Sequence, residues 1–223
     1  MTFPARQRRL LRDEDGDLAV LEGRTIAVLG YGLLGRPLAL NLRETGAGTV
    51  IVGSDDPPSS AQAVADGFVV ESLAEATAAA DVALLLVPDE AQPEVMERIA
   101  PRLRPGSTLL FASGYALAYD LVSPPPGVNI VLFAPRMSGD PIRARFLAGQ
   151  GFLSYVGVEQ EATPDAWPIL LAVAKASGSL RHGALEMTAR DEALLDLFVE
   201  QAFGPWLGAA LLSAFHVGME AGL

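Results

Sequence analysis

At 223 residues, half of them apolar, the chain is long enough for one large domain, or one domain with an appendage, around a sizeable core. A formal net charge of −11 with scattered basic residues argues against a nucleic-acid partner, and the absence of cysteine excludes disulfides, thiolate nucleophiles and zinc–thiolate sites together. Of the 16 basic residues all but Lys175 are arginine, which leaves one candidate for lysine chemistry.

Residues 1–23 read as a lead-in. They contain no apolar stretch of signal-peptide type, so the expected location is the cytoplasm. The basic run Arg6–Arg12 is expected to be a solvated terminus. Ile26–Leu29 is a short β-branched apolar run of the kind that forms a buried strand. It leads into Gly30, Gly32 and Gly35, spaced G-x-G-x-x-G, and then into R-P-L-A-L-N-L-R, which has helical period and a proline near its first turn. Strand, glycine turn and helix in that order is the context that makes this spacing a dinucleotide fingerprint. Gly30 permits the tight turn, Gly32 the close approach of backbone to pyrophosphate, and Gly35 the packing of helix on strand, with Tyr31, Leu33 and Leu34 in the same phosphate-binding turn. The free N–H groups and partial positive charge of the helix start face the phosphates.

Thr49–Val52 is a second strand, ending in Gly53-Ser54-Asp55-Asp56-Pro57-Pro58. Asp55 lies where a carboxylate accepts hydrogen bonds from the adenosine ribose and repels a 2′-phosphate, which leans the cofactor NAD(P)H toward NADH. Ser54 stands beside it and could hold a phosphate. Gly67–Val70 is a possible third strand, and Leu73–Ala80 is helical. Asp81–Val87 is a continuous apolar run, as expected of a strand covered on both faces. Val87, Pro88 and Asp89 follow it at the same sheet edge as the glycine turn, and a helix runs from there to about Ala100. Leu109–Ala112 ends in Ser113 and Gly114, which with Val87, Pro88 and Asp89 are expected to line the nicotinamide pocket. Asn129–Phe133 ends in Ala134-Pro135-Arg136, Gly151–Val158 is one more strand, and Asp165–Ser177 is a helix. Strands alternating with helices imply an α/β fold with a doubly wound, mostly parallel Rossmann sheet over residues 1–182.

Residues 183–223 change character. Thr188–Ala202 is helical, and Glu192, Asp196 and Glu200 share one of its faces. Beyond Gly204-Pro205, residues 206–219 are apolar nearly all round, yet short and interrupted for a membrane span. A C-terminal helical segment that dimerises two copies is the expectation, with no membrane partner. His216 within it is expected to be a hydrogen-bonded core residue.

Several phrases of the chain, in order, resemble ketol-acid reductoisomerase: D-E-D-G-D-L-A-V-L-E-G-R-T-I-A-V-L-G-Y-G-L-L-G, L-N-L-R-E-T-G, L-L-V-P-D-E-A-Q, A-P-R-M-S-G-D-P-I-R and D-L-F-V-E-Q. The resemblance runs from about Asp13 to Leu223. It implies a Rossmann domain followed by the opening of a helical domain that in the family dimerises and completes the active site. It further implies rearrangement and reduction of an acetohydroxy acid with NAD(P)H and two Mg²⁺ ions. Asp196 and Glu200 match two family carboxylates that bind Mg²⁺. The chain departs at three places. Ser113 stands for a family histidine, Arg136 for a family lysine, and Leu33-Leu34 for Ser-Gln in the glycine turn. The remaining metal-binding glutamates and a substrate-binding serine belong to a region beyond Leu223.

Alkyl migration needs two hard cations on adjacent oxygens, whereas hydride transfer needs a bound nicotinamide, an electrophile beside it and a proton source. The expectation is a homodimeric NAD(P)H-dependent reductase of a small polar carbonyl or imine, without the isomerisation metal site. Arg136, Asp196 and Glu200 are its candidate catalytic residues, with Arg136 placed to clamp a substrate carboxylate. Two other readings stand beside it: a reductoisomerase half needing a partner chain, and a non-catalytic nucleotide-binding protein.

Overall fold

The structure is a computed structural model, and it describes residues 8–222. The expected lead-in residues 1–7, with Arg6, lie outside the described residues. The strands are β1 (Leu10–Leu11), β2 (Thr25–Leu29), β3 (Thr49–Gly53), β4 (Val70–Glu71), β5 (Val82–Leu85), β6 (Thr108–Phe111), β7 (Asn129–Pro135), β8 (Ser154–Gln160) and β9 (Ala184–Glu186). The helices are α1 (Gly35–Thr45), α2 (Pro57–Ala65), α3 (Leu73–Ala79), α4 (Gln92–Ile99), α5 (Tyr115–Ala118), α6 (Asp140–Leu147), α7 (Ala166–Ala176), α8 (Ala189–Leu197) and α9 (Gly204–Glu220).

The strands form one sheet in the order β1-β9-β8-β7-β6-β5-β2-β3-β4. From β4 to β7 every pairing is parallel, and β7 pairs antiparallel with β8. From β2 the chain moves outward through β3 and β4, then returns to β5 on the other side. That reversal between β2 and β5 is the switch point of a doubly wound sheet, where ligands bind beyond the carboxyl ends of the strands. The uninterrupted apolar runs have their reason here. Ile26 and Val28 of β2, with Val82 and Leu84 of β5, enter the core under α1 and α7. Ala27 and Leu29, with Ala83 and Leu85, enter a second core under α3 and α4. Both faces are covered, so the inner positions of β2 and β5 are apolar on both sides.

The glycine turn is set by backbone crowding. Gly30 has φ 98°, and its N–H bonds the Gly53 carbonyl at 2.9 Å. A Cβ on Gly35 would lie 1.9 Å from the Gly30 carbonyl oxygen, so α1 can start this close to β2 only with glycine there.

Asp56 accepts the Ser59 N–H at 2.9 Å and caps α2, with Pro57 opening the helix. β9 lies beyond the 182/183 boundary, so the sheet takes in the first residues of the C-terminal segment. The arginines at the described start of the chain are also held. Arg8 pairs with Asp191, Arg9 with Glu186, and Arg12 donates to the His182 carbonyl at 2.5 Å. Lys175 donates to the carbonyls of Asp13 and Gly16, a structural tie.

The C-terminal segment is neither short nor broken. Phe198–Phe203 form a π-helical turn in which the Gly204 N–H bonds the Val199 carbonyl, so the wider turn absorbs Pro205 and one helix continues from Ala189 to Glu220. By length and composition alone this helix could cross a membrane. Trp206, Leu211, Leu212 and Phe215 project from it into solvent. His216 is exposed as well, not in a core, with its ring 6.1 Å from Phe215.

A Gly35→Ala variant tests the crowding at the turn. Its methyl meets backbone, which cannot step aside, so stability should fall by about 1–3 kcal/mol in urea unfolding. An unchanged midpoint would show that α1 does not depend on this approach.

Candidate active site

Two adjoining concavities open at the carboxyl ends of the strands. The larger is a cleft of about 910 Å³ across the β2/β5 switch point, and the smaller, about 530 Å³, lies under α8. Asp89 and Ser113 line both.

Gly30, Tyr31, Gly32, Leu33 and Leu34 form one wall of the larger cleft, as the fingerprint requires. A Cβ on Gly32 would meet no protein atom, so the space over this turn is open to a phosphate group. Gly35 lies behind this wall, and its part is to pack α1 on β2. Tyr31 is buried and its hydroxyl donates to Asp66 at 2.9 Å, so only part of this side chain faces the cleft. Ser54 and Asp55 line the far end, and Val87, Pro88 and Asp89 the opposite wall. The dimensions, the open glycine turn and the acid at the ribose end fit a dinucleotide.

Asp55 is not a free carboxylate. One oxygen accepts the Leu73 N–H at 3.2 Å, and the other is bonded by Arg98, which also lines the cleft. Arg98 offsets part of the repulsion that Asp55 would exert on a 2′-phosphate. No sequence signal marked this arginine, because it comes from α4, more than forty residues on.

Gly114 leaves the cofactor-binding set. A Cβ there would lie 2.2 Å from the Ala189 carbonyl oxygen, and its N–H bonds Glu192 at 2.7 Å. Its place is beneath the start of α8, as a seat for that helix. Ser113, one residue earlier, does face the cleft, and its hydroxyl lies 3.2 Å from Asp89 Oδ2.

Arg136 is also placed differently from expectation. It lines neither concavity. From the end of β7 one arm of its fork bonds Glu192 Oε1 at 2.8 Å and the other bonds Asp196. Two of its donors face protein carboxylates and it lines neither pocket, so it is not placed as the expected clamp for a substrate carboxylate. Glu192, given less weight in the sequence, is the buried hub, with both oxygens bonded. Burial pushes its carboxyl up, with the Asp196 charge acting the same way, against the Gly114 N–H and the Arg136 charge. Burial also works against the charge on Arg136, but Asp196 and Glu192 hold its pKa above the ordinary value.

Asp196 and Glu200 line the smaller pocket with Asp89, Glu90, Ser113 and Tyr115. A Mg²⁺ pair fits this set poorly. The arginine fork takes up an oxygen of Asp196, both Glu192 oxygens already accept hydrogen bonds, and no group of three or more metal-ligating side chains occurs among the described residues.

The family model described as the acetohydroxy acid isomeroreductase NADPH-binding domain matches residues 20–183. The ketol-acid reductoisomerase (NADP(+)) of Pyrobaculum calidifontis is 43% identical over 213 residues, 95% of this chain and 64% of that relative. That of Renibacterium salmoninarum is 40% identical over 194 residues, 86% of this chain and 57% of the relative. The chain thus spans less than two thirds of the length of these curated relatives. The solved structure of an NADH-preferring ketol-acid reductoisomerase from an uncultured archaeon superposes with a TM-score of 0.89 at 34% identity, covering 96% of this chain and 67% of that one.

The elevation of Glu192 has a consequence for stability. A carboxyl raised in the folded state favours folding fully while it is protonated, below the ordinary glutamate range. That contribution is lost as pH rises through the folded value. Relative to Glu192→Gln, the wild-type protein should therefore lose stability as pH rises above the ordinary glutamate range in urea titrations. Parallel curves would mean that the carboxyl is not raised.

Proposed function

This chain belongs to the ketol-acid reductoisomerase family, and we propose that within it the chain acts as an NAD(P)H-dependent reductase of a small polar carbonyl or imine, without the metal-assisted rearrangement. The observation that carries the reading is the Arg136 fork on Glu192 and Asp196 beside an intact dinucleotide cleft. One fixed, delocalised cation replaces the site of a hard divalent ion, and two such ions are what an alkyl shift between adjacent carbons calls on.

When bound, the cofactor supplies the hydride. The chain does the rest. The turn at Gly30–Leu34 and the start of α1 hold the pyrophosphate, Asp55 takes the adenosine ribose, and the Val87–Asp89 wall with Ser113 orients the nicotinamide end toward the smaller pocket. Asp55 favours NADH, and Arg98 narrows the preference. Arg136 is a positioning residue, which sets Asp196 at the pocket rim and holds α8 over it.

The partner we propose for the exposed apolar face of α9 is a second copy of the chain. The same helix carries Asp191, Glu192, Asp196 and Glu200 in its first half and is fastened there to the Rossmann sheet, an arrangement suited to a protein contact more than to a bilayer. Trp206→Asp with Leu211→Asp should convert a dimer to a monomer in sedimentation equilibrium. A wild-type chain that sediments as a monomer would refute the dimer.

The activity test is oxidation of NADH or NADPH at 340 nm with a panel of 2-keto acids and cyclic imines, in the presence of EDTA. Turnover unaffected by the chelator is the expected result. Cofactor binding with no turnover would point instead to a nucleotide-binding protein, and turnover of acetolactate strictly dependent on Mg²⁺ would restore the rearrangement.

A further inference from the structure

Asp89 is the one acidic side chain shared by the two concavities. With Ser113, which also lines both, it stands where the two concavities adjoin. Its Oδ1 accepts the Gln92 side-chain N–H at 2.8 Å, and Ser113 Oγ lies 3.2 Å from its Oδ2. The serine hydroxyl in turn accepts the Tyr115 N–H at 3.2 Å. The carboxyl is therefore fixed at the boundary, with Oδ2 turned to Ser113, the other residue that lines both pockets. Two of the expected acids are less well placed. Asp196 is held as the partner of Arg136, and Glu200 is exposed on the π-helical turn.

We propose that Asp89 is the catalytic acid of the reduction, the group that protonates the substrate heteroatom as its carbon is reduced. This rests on the reductase reading above. As the carbonyl or imine carbon accepts hydride from the reduced nicotinamide, a C–H bond forms and the π pair moves onto oxygen or nitrogen. The heteroatom takes the proton from the Asp89 carboxyl as that O–H bond breaks. Asp89 is left as a carboxylate, and solvent entering the smaller pocket returns the proton. For an imine already protonated, the same carboxylate neutralises the iminium before transfer and no proton moves.

The surroundings raise the pKa of Asp89. Burial is the largest influence and raises its pKa, the Glu90 and Asp196 charges raise it further, and the Ser113 hydrogen bond lowers it. The charged or titratable groups around it are Glu90 on the same turn, Tyr115 on the loop side, and Asp196 and Glu200 from the helix above. Arg136 and Glu192 lie behind Asp196. The nearest charges are negative, and the one cation is already paired.

The test compares wild type, Asp89→Asn and Asp89→Glu with the same substrate panel, and measures NADH affinity by calorimetry alongside. Asp89→Asn should lose kcat by about 100-fold or more on neutral carbonyl substrates, far more than any loss of NADH affinity. Wild-type kcat should fall as pH rises through the Asp89 value, that fall should vanish in Asp89→Asn, and Asp89→Glu should recover part of the rate. An active wild type with an equally fast Asp89→Asn, or with the same alkaline fall in that variant, overturns the assignment and leaves the reductase standing. A folded Asp89→Asn that no longer binds NADH also overturns it, since the residue then serves the cofactor. A wild type inert across the panel ends the reductase reading, and this assignment with it.

Discussion

One guanidinium holds the C-terminal helix to the sheet. Arg136 leaves the carboxyl end of β7, reaches under α8, and bonds two carboxylates one helical turn apart. The arrangement is costly to build, because Glu192 gives up nearly all its hydration. It is compensated locally by the Gly114 N–H, which gives Glu192 a second bond. Glycine is required there because any side chain would strike the backbone of Ala189. The pair and the glycine are therefore one device: close backbone approach brings the helix down, and the buried carboxylate fixes its rotation. Taking away either charge would leave the other desolvated and unpaired, which is far worse than never having made the pair.

That attachment couples the two ends of the helix. The first turns roof the smaller pocket, while the last turns present an apolar face to solvent. Because the π-helical turn lets the chain pass Pro205 without a break, whatever α9 docks against is rigidly connected to the pocket roof. A second copy seated on α9 would thus fix the height of the roof over Asp89 and Ser113. Dimer formation and closure of the substrate pocket would then be one event.

The Rossmann half was legible because its signals are local. A strand, three glycines and a helix lie within twenty residues, and the apolar runs report burial on both faces without regard to partners. Family resemblance added the carboxylate positions on α8. What could not be read is long-range and polar. Arg98 meets Asp55, and Arg136 meets Glu192, across separations that leave no periodic trace. Gly114 looked like a cofactor glycine because it follows a strand, yet its neighbour is a helix from seventy residues later. The break expected at Gly204-Pro205 failed for a different reason. Proline forbids the ordinary hydrogen bond, but a helix can skip it by widening one turn, and propensity alone does not show when tertiary context favours that.

On the proposed reading, the arginine also decides which chemistry the scaffold keeps. A divalent ion accepts several oxygen ligands, exchanges water and draws electron density from a substrate oxygen it touches. A guanidinium offers directed N–H bonds at fixed geometry, does not exchange ligands, and here has turned its fork toward the protein. It can stabilise the helix that roofs the pocket, but it cannot polarise two adjacent oxygens at once. Hydride transfer asks for less. It needs an electrophile held against the nicotinamide and one proton at the right moment, and a half-buried carboxyl on the boundary between two pockets can supply the proton without a metal. Replacing a metal-binding arrangement by an internal ion pair would thus remove the rearrangement while leaving the reduction in place. The surviving step would depend on the residues at that boundary, Asp89 and Ser113.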